Sequence, residues 1–323
     1  VGVKQIYQGA WNPVSGFSDT YSNQIWLNLY DPAAFSHPFT GKTIPIRTNW
    51  QVENFGSDEK ITVPEDAISW NIDTQRWENV GAASEATSKI TFDLILGNWH
   101  HEQRMDMNDI LYSLYFLQEW GSEQQERDDT YDAEYSPQAI QNVKTLVGIK
   151  PIDHDTVEVY VDYWHFDEAE IAAWAAPWSS MPWEIVAASE DAVLDGKVSF
   201  SRSGSISKSI NWLSLLIPND ANTIKEQLIE FKERKYIPSS LQDSEYDWQY
   251  FEQRYDAAIS WIEQNNHAII SNGPFYLDNY SPESRTITIK SFDSDGYPFE
   301  SGKWGEFEQI KFPKITDIII SDV

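Results

Sequence analysis

The chain has 323 residues, 41% of them hydrophobic and 14% aromatic with 15 Trp, enough for two domains of about 100 to 200 residues or one large interrupted one. Its 51 acidic against 23 basic residues leave a net charge of -28, which argues against unassisted binding of nucleic acid or of anionic membranes, since both need clustered Lys and Arg. With no Cys there is neither disulfide nor thiolate chemistry, and no 18-residue apolar run could span a bilayer. The acidity suits a solvated surface that keeps the protein soluble in salt, and secondarily a surface that attracts cationic ligands. The indoles suit a Trp-rich core or, alternatively, the walls of a cleft.

In chain order, residues 5–47 read as a strand running into a loop, punctuated by Gly9, Pro13 and Gly16, with a short helix from Ser22 to Leu29 behind it. Residues 61–96 read as hairpin strands. In the stretch KITFDLILGNWHHEQRMDMNDILYSLYFL (89–117), Ile90, Phe92 and Leu94 alternate at strand period until Gly97-Asn98 breaks the pattern. A helix then begins. Asp106 can accept from first-turn N–H groups while Asp109 reaches back to the N–H of Asp106, a capping box at the positive end of the helix dipole. Ile110, Leu111, Leu114 and Leu117 supply its apolar stripe. Residues 121–137 are charged and expected to be an exposed loop, and residues 201–222 are Ser-rich and then apolar. Helical periodicity returns at Asn222–Lys235 and at Trp248–Gln264. No internal repeat is visible.

The segment from Trp99 to Ser113 resembles the W-H-(D/N)-G-x-x-(apolar)-x-A-x-D-(apolar)-x-x-S pattern of the family 5 extracellular solute-binding proteins, the oligopeptide and dipeptide receptors of ABC importers. Trp99, His100, Met105, Asp109, Ile110 and Ser113 fall on it. His101, Glu102 and Met107 depart from it. Glu102 stands where the family has a Gly that usually supplies a positive φ, which Glu tolerates poorly, so the turn there departs from the family's pattern. Further along, the 155–161 strand DTVEVYV, an aromatic helix and Pro turn at Trp174–Trp183, the strand ISNGPFYL (270–277), the strand around Ile287 and Ile289, and Tyr297–Trp304 are similar to family elements in the same order. The tail IKFPKITDIIISDV is similar to the family's crossing strand into a second lobe.

This resemblance implies an α/β fold: a periplasmic-binding-protein-like lobe with a mixed sheet flanked by helices, plus a small inserted β-rich domain. Residues 1–48 and 165–300 would form the lobe, 49–164 the insert, and 301–323 a hinge strand and the stub of a second lobe. It also implies an extracellular or periplasmic receptor, anchored to the cell surface through a segment outside this chain and expected to be a monomer. Such a receptor closes around a peptide or other small solute by hinge bending and delivers it to an ABC permease complex. No cofactor is implied. Asn272, Gly273 and Phe275 would lie at the cleft floor, binding an extended ligand as an added strand is bound, and Trp11, Asn12 and Phe17 would form another wall. The alternative is an acidic, aromatic-rich glycan-binding protein or glycoside hydrolase.

Other chemistries have weaker support. His100-His101-Glu102, with His154 and His165, lacks metal-ligand spacing, and His100 is expected to hydrogen-bond across the turn that Trp99 anchors. A hydrolytic carboxylate pair needs a separation of about 5 to 9.5 Å that sequence does not supply. Neither a Gly-x-Ser-x-Gly elbow nor a Gly-rich phosphate loop occurs.

Overall fold

The computed structural model describes residues 9–122, 129–281, 283–284 and 286–307. An irregular turn leads into helix α1 (Thr20–Leu29), where Asp19 accepts from the N–H groups of Tyr21 and Ser22. Eight strands follow: β1 (Ala34–Ser36), β2 (Thr43–Pro45), β3 (Thr48–Asn54), β4 (Ile61–Thr62), β5 (Ile68–Asn71), β6 (Arg76–Asn79), β7 (Glu85–Ala86) and β8 (Ser88–Leu94). Helices α2 (Met107–Gly121) and α3 (Ser136–Thr145) precede β9 (Leu146–Pro151) and β10 (Thr156–Val161). Beyond them lie α4 (Glu168–Ala175), α5 (Trp183–Leu194), β11 (Val198–Ser199), α6 (Arg202–Lys208), β12 (Asn211–Trp212), α7 (Pro218–Glu233) and α8 (Trp248–Asn265). The hairpin β13 (Phe275–Ser281) and β14 (Thr286–Ser291) comes last.

The architecture is mixed α/β, with sheets flanked by helices. The largest sheet runs β3-β8-β10-β9-β5-β6 with antiparallel neighbours, and β11 pairs with β12 in parallel. Its register follows from β8. Ile90 sits between Val52 and Val159, and Phe92 between Trp50 and Val157, so one face is apolar along three strands. Ile110 and Leu114 of α2 and Ile171 and Ala172 of α4 pack in the same cluster. A one-residue slip would bury Lys89, which instead lies 3.0 Å from Glu53 and 2.9 Å from Glu158.

A second, larger core joins α5, α7 and α8 to the buried faces of α1 and α2. Trp11, Trp26, Trp70, Trp99, Trp120 and Trp183 are all buried in it, so much of the indole content is core. Among the described residues, no helix is long and apolar enough to cross a membrane.

Some boundaries differ from those read in the sequence. Helix α1 starts at Thr20, directly after its Asp19 cap. Helix α7 starts at Pro218, whose fixed φ suits the first helical position, before the periodic apolar residues begin. Of the aromatic helix and Pro turn read at Trp174–Trp183, the helix is the end of α4, which stops at Ala175, and Pro177 and Pro182 keep 176–182 out of helix until α5 begins at Trp183. The 270–277 strand pairs only from Phe275 onward. Helix α6 lies in the Ser-rich stretch, capped by the Ser201 hydroxyl on the N–H of Gly204. The start of the opening strand, residues 123–128 of the charged loop and the tail from residue 308 lie outside the described residues.

Candidate functional site

The turn between β8 and α2 is built around Trp99, which is fully buried. Its N–H donates to the Gln103 carbonyl at 2.8 Å, its carbonyl accepts from Glu102 at 2.8 Å, and its indole N–H reaches Asp109 Oδ2 at 3.2 Å. Glu102 nevertheless adopts φ 65°, the left-handed conformation that a glutamate tolerates poorly. Two donors hold it there: Asn98 Nδ2 at 3.1 Å and Ser294 Oγ at 2.8 Å, both on Glu102 Oε2.

His100 does not bond across this turn. Its ring spans to the 271–273 segment: Nδ1 accepts from Ser271 N–H at 3.2 Å, so Nε2 carries the proton and donates to the Gly273 carbonyl at 3.1 Å. The His100 backbone N–H also donates to Ser271 O at 2.9 Å. Burial pushes the ring's pKa down to about 3, so it is neutral at ordinary pH. Both ring nitrogens are occupied, and a metal ion would have to displace one of these bonds.

Beside this contact lies Arg47, completely buried between Trp178 and Phe299, whose ring centroids are 5.4 and 5.7 Å from its guanidinium carbon. Its Nε donates to Ile95 O at 2.8 Å, and its Nη1 to Asp31 Oδ2 at 3.3 Å and to Asn272 O at 3.2 Å. Tyr297 donates to the same Asp31 oxygen at 3.0 Å. Burial still raises the Asp31 carboxyl above its usual range, although Arg47 opposes this.

On the other side of the turn the capping box at Asp106 and Asp109 is present, as the sequence predicts. Asp109 does more than cap. It also accepts from Arg254 Nη2 at 2.7 Å and from Trp183 N–H at 3.0 Å. Arg254 donates to Glu184 from Nε at 3.0 Å, and His101 Nε2 lies 2.7 Å from the other Glu184 oxygen. Burial works to raise the Glu184 carboxyl, but Arg254 and His101 outweigh it and hold it below its usual value. Asp106 is at the edge of this network, facing a cleft of about 860 Å³ between the 102–107 turn, the β9–β10 turn and residues 243–254. Its carboxyl is raised to about 6, first by burial and then by Asp109, with Arg254 opposing.

The residues expected to contact ligand fall into two groups. Trp11, Asn12, Asn272 and Gly273 are committed within the protein. The indole of Trp11 donates to Ser22 Oγ at 3.0 Å. Asn12 Nδ2 donates to the Phe200 and Leu213 carbonyls at 3.1 and 2.9 Å, and its Oδ1 accepts from Val14 and Ser15. Asn272 Oδ1 accepts from Asp31 N–H at 3.0 Å, and Gly273 N–H donates to Leu29 O at 2.9 Å. Phe17, stacked on Trp26 at 4.3 Å, is half-buried, and Phe275 at the start of β13 is exposed. Nothing in the local sequence marks Arg47 or Glu184 as buried partners. For Arg254 a signal existed: it falls on the buried stripe of α8 with Phe251, Tyr255, Ala258 and Ile262, where an arginine needs buried carboxylates.

No family model and no curated protein matches the chain. Among solved structures it is similar to the PBP AgaA in complex with agropinic acid from A. tumefacien R10, at 13% identity and a TM-score of 0.34 over 88% of this chain and 33% of that one. It is also similar to the oligopeptide-binding protein AppA from Bacillus subtilis in complex with a nonapeptide, at 8% identity and a TM-score of 0.36 over 89% of this chain and 34% of that one. The chain spans about a third of the length of either.

Proposed function

We propose that this protein is an extracytoplasmic solute receptor that binds a small solute, with peptides as the expected class, and hands it unchanged to an ABC permease. One observation supports the reading most. The two stretches that carry the family resemblance, around Trp99-His100 and Ser271-Asn272-Gly273, lie 173 residues apart at His100 and Gly273 and interlock through side chain and backbone. They form one structural unit instead of scattered similarities.

In this reading Trp11, Asn12, Asn272 and Gly273 brace the wall, while Phe17 and Phe275 have surface left to present to a ligand. Aromatic surface of this kind holds a solute without demanding one side-chain sequence. Native mass spectrometry of the full-length protein, with both lobes, isolated without denaturant and then mixed with a tripeptide pool, tests it. A solute adduct of a few hundred daltons, weakened by Phe275→Ala, is expected. A bare mass both before and after the pool would contradict it.

A further inference from the structure

We propose that the cleft between the 102–107 turn, the β9–β10 turn and residues 243–254 is a binding site for an organic cation bearing a guanidinium or primary ammonium group. The proposal does not depend on the receptor reading, since it rests on the shape and chemistry of this cleft alone. At about 860 Å³ the cleft is in the size range of small-molecule sites, roughly 300 to 1,000 Å³. Leu96, Met107, Leu111 and Ile152 give it an apolar lining against which an alkyl stem can lie.

Its aromatic feature is a pair of tyrosines. Tyr246 stacks on Tyr250 with centroids 4.3 Å apart and planes at 14°. The guanidinium of Arg254 already lies over the Tyr250 ring, 5.8 Å from its centroid, so the fold itself seats a cation on this stack. Tyr246 remains 40% exposed and can receive a second cation.

Charge selects the same class of ligand. Glu102, Asp106, Asp153, Asp243 and Glu245 line the cleft and outnumber its cations: Arg104 also lines it, and Arg254, 3.8 Å from Asp106, is taken up mainly by Asp109 and Glu184. The resulting field draws in cations and repels carboxylates and phosphates. A cation next to Asp106 would also offset the repulsion that Asp109 exerts on that carboxylate.

The test is calorimetric titration with agmatine and, as an uncharged counterpart of similar shape, N-pentylurea, at about 150 mM salt to screen diffuse attraction. Agmatine is expected to saturate one site with a Kd below about 1 mM, at least about 10-fold tighter than the urea. Tyr246→Ala, at an exposed position that does not threaten folding, is expected to weaken agmatine about 5-fold. The double variant Asp243→Asn/Glu245→Gln should weaken it further, while Asp58→Asn/Glu59→Gln, in an exposed loop that does not line the cleft, should leave it unchanged. Non-saturating heats, equal affinity for the urea, or equal loss in the Asp58/Glu59 control would each overturn the proposal.

Discussion

His100 donates to the carbonyl of Gly273 at 3.1 Å, and the glycine presses against the C-terminal end of α1, where its N–H bonds to Leu29 O. The β8–α2 turn, the segment leading into β13, and α1 therefore meet at one point. A Cβ on Gly273 would lie 2.5 Å from the Leu29 carbonyl carbon and 2.6 Å from the Tyr30 nitrogen, both backbone atoms that cannot swing away. Gly273→Ala is expected to cost about 2 to 4 kcal/mol of unfolding free energy in urea titrations. Gly41→Ala is the control: it has open space but a φ of 70°, and should cost only about 1 kcal/mol.

Arg254 neutralises two fully buried carboxylates, Asp109 at 2.7 Å and Glu184 at 2.7 Å. Arg254→Met would leave both charges without their partner in the core. A loss of about 3 to 5 kcal/mol is expected, read as a lowered urea midpoint at unchanged m-value.

Acid should destabilise the protein through two histidines. Burial lowers His100 from 6.5 to about 3 and His267 from 6.5 to about 4. Because the native state binds these protons less readily than the unfolded chain, their stability is present above about pH 6.5 and is lost as pH falls toward 4 and 3. The loss is on the order of 3 kcal/mol per histidine at about pH 4. Urea unfolding across this range should show it, and His267→Asn should flatten the slope.

Asp106 acts in the opposite direction. Its carboxyl is raised from 3.8 to about 6, so the native state prefers it protonated. That stability is complete below about pH 3.8 and lost as pH rises through about 6. Asparagine is neutral throughout and also a good N-cap. The stability of Asp106→Asn relative to wild type is therefore expected to improve by about 2 to 3 kcal/mol between about pH 4 and about pH 8.

Local signals in the sequence were legible where one element decides its own structure. The alternation at Ile90, Phe92 and Leu94 became a buried strand face, and Asp106 with Asp109 became a capping box, because both depend on neighbours within a few residues. At Glu102 the sequence argued against the positive φ that is present, because the Ser294 donor that helps hold it is 192 residues away. Separations of 173 and 145 residues likewise hid the partners of His100 and Asp109. A single sequence shows that a buried acid needs a cation, but not that Arg254, 145 residues on, supplies it. The expected ligand contacts at Asn12 and Asn272 illustrate the remaining ambiguity. An asparagine that hydrogen-bonds a ligand's main chain and one that hydrogen-bonds the protein's own loops have the same local sequence, and here both side chains are bonded to distant backbone.

The receptor reading is tested most directly by calorimetric titration of the full-length protein, with both lobes, against a random tripeptide pool at neutral pH, repeated with Phe275→Ala. Saturable heat that the substitution weakens about 5-fold or more is the predicted result, as expected for loss of an aromatic contact with the ligand. No heat from either protein, at peptide concentrations up to about 1 mM, would contradict it.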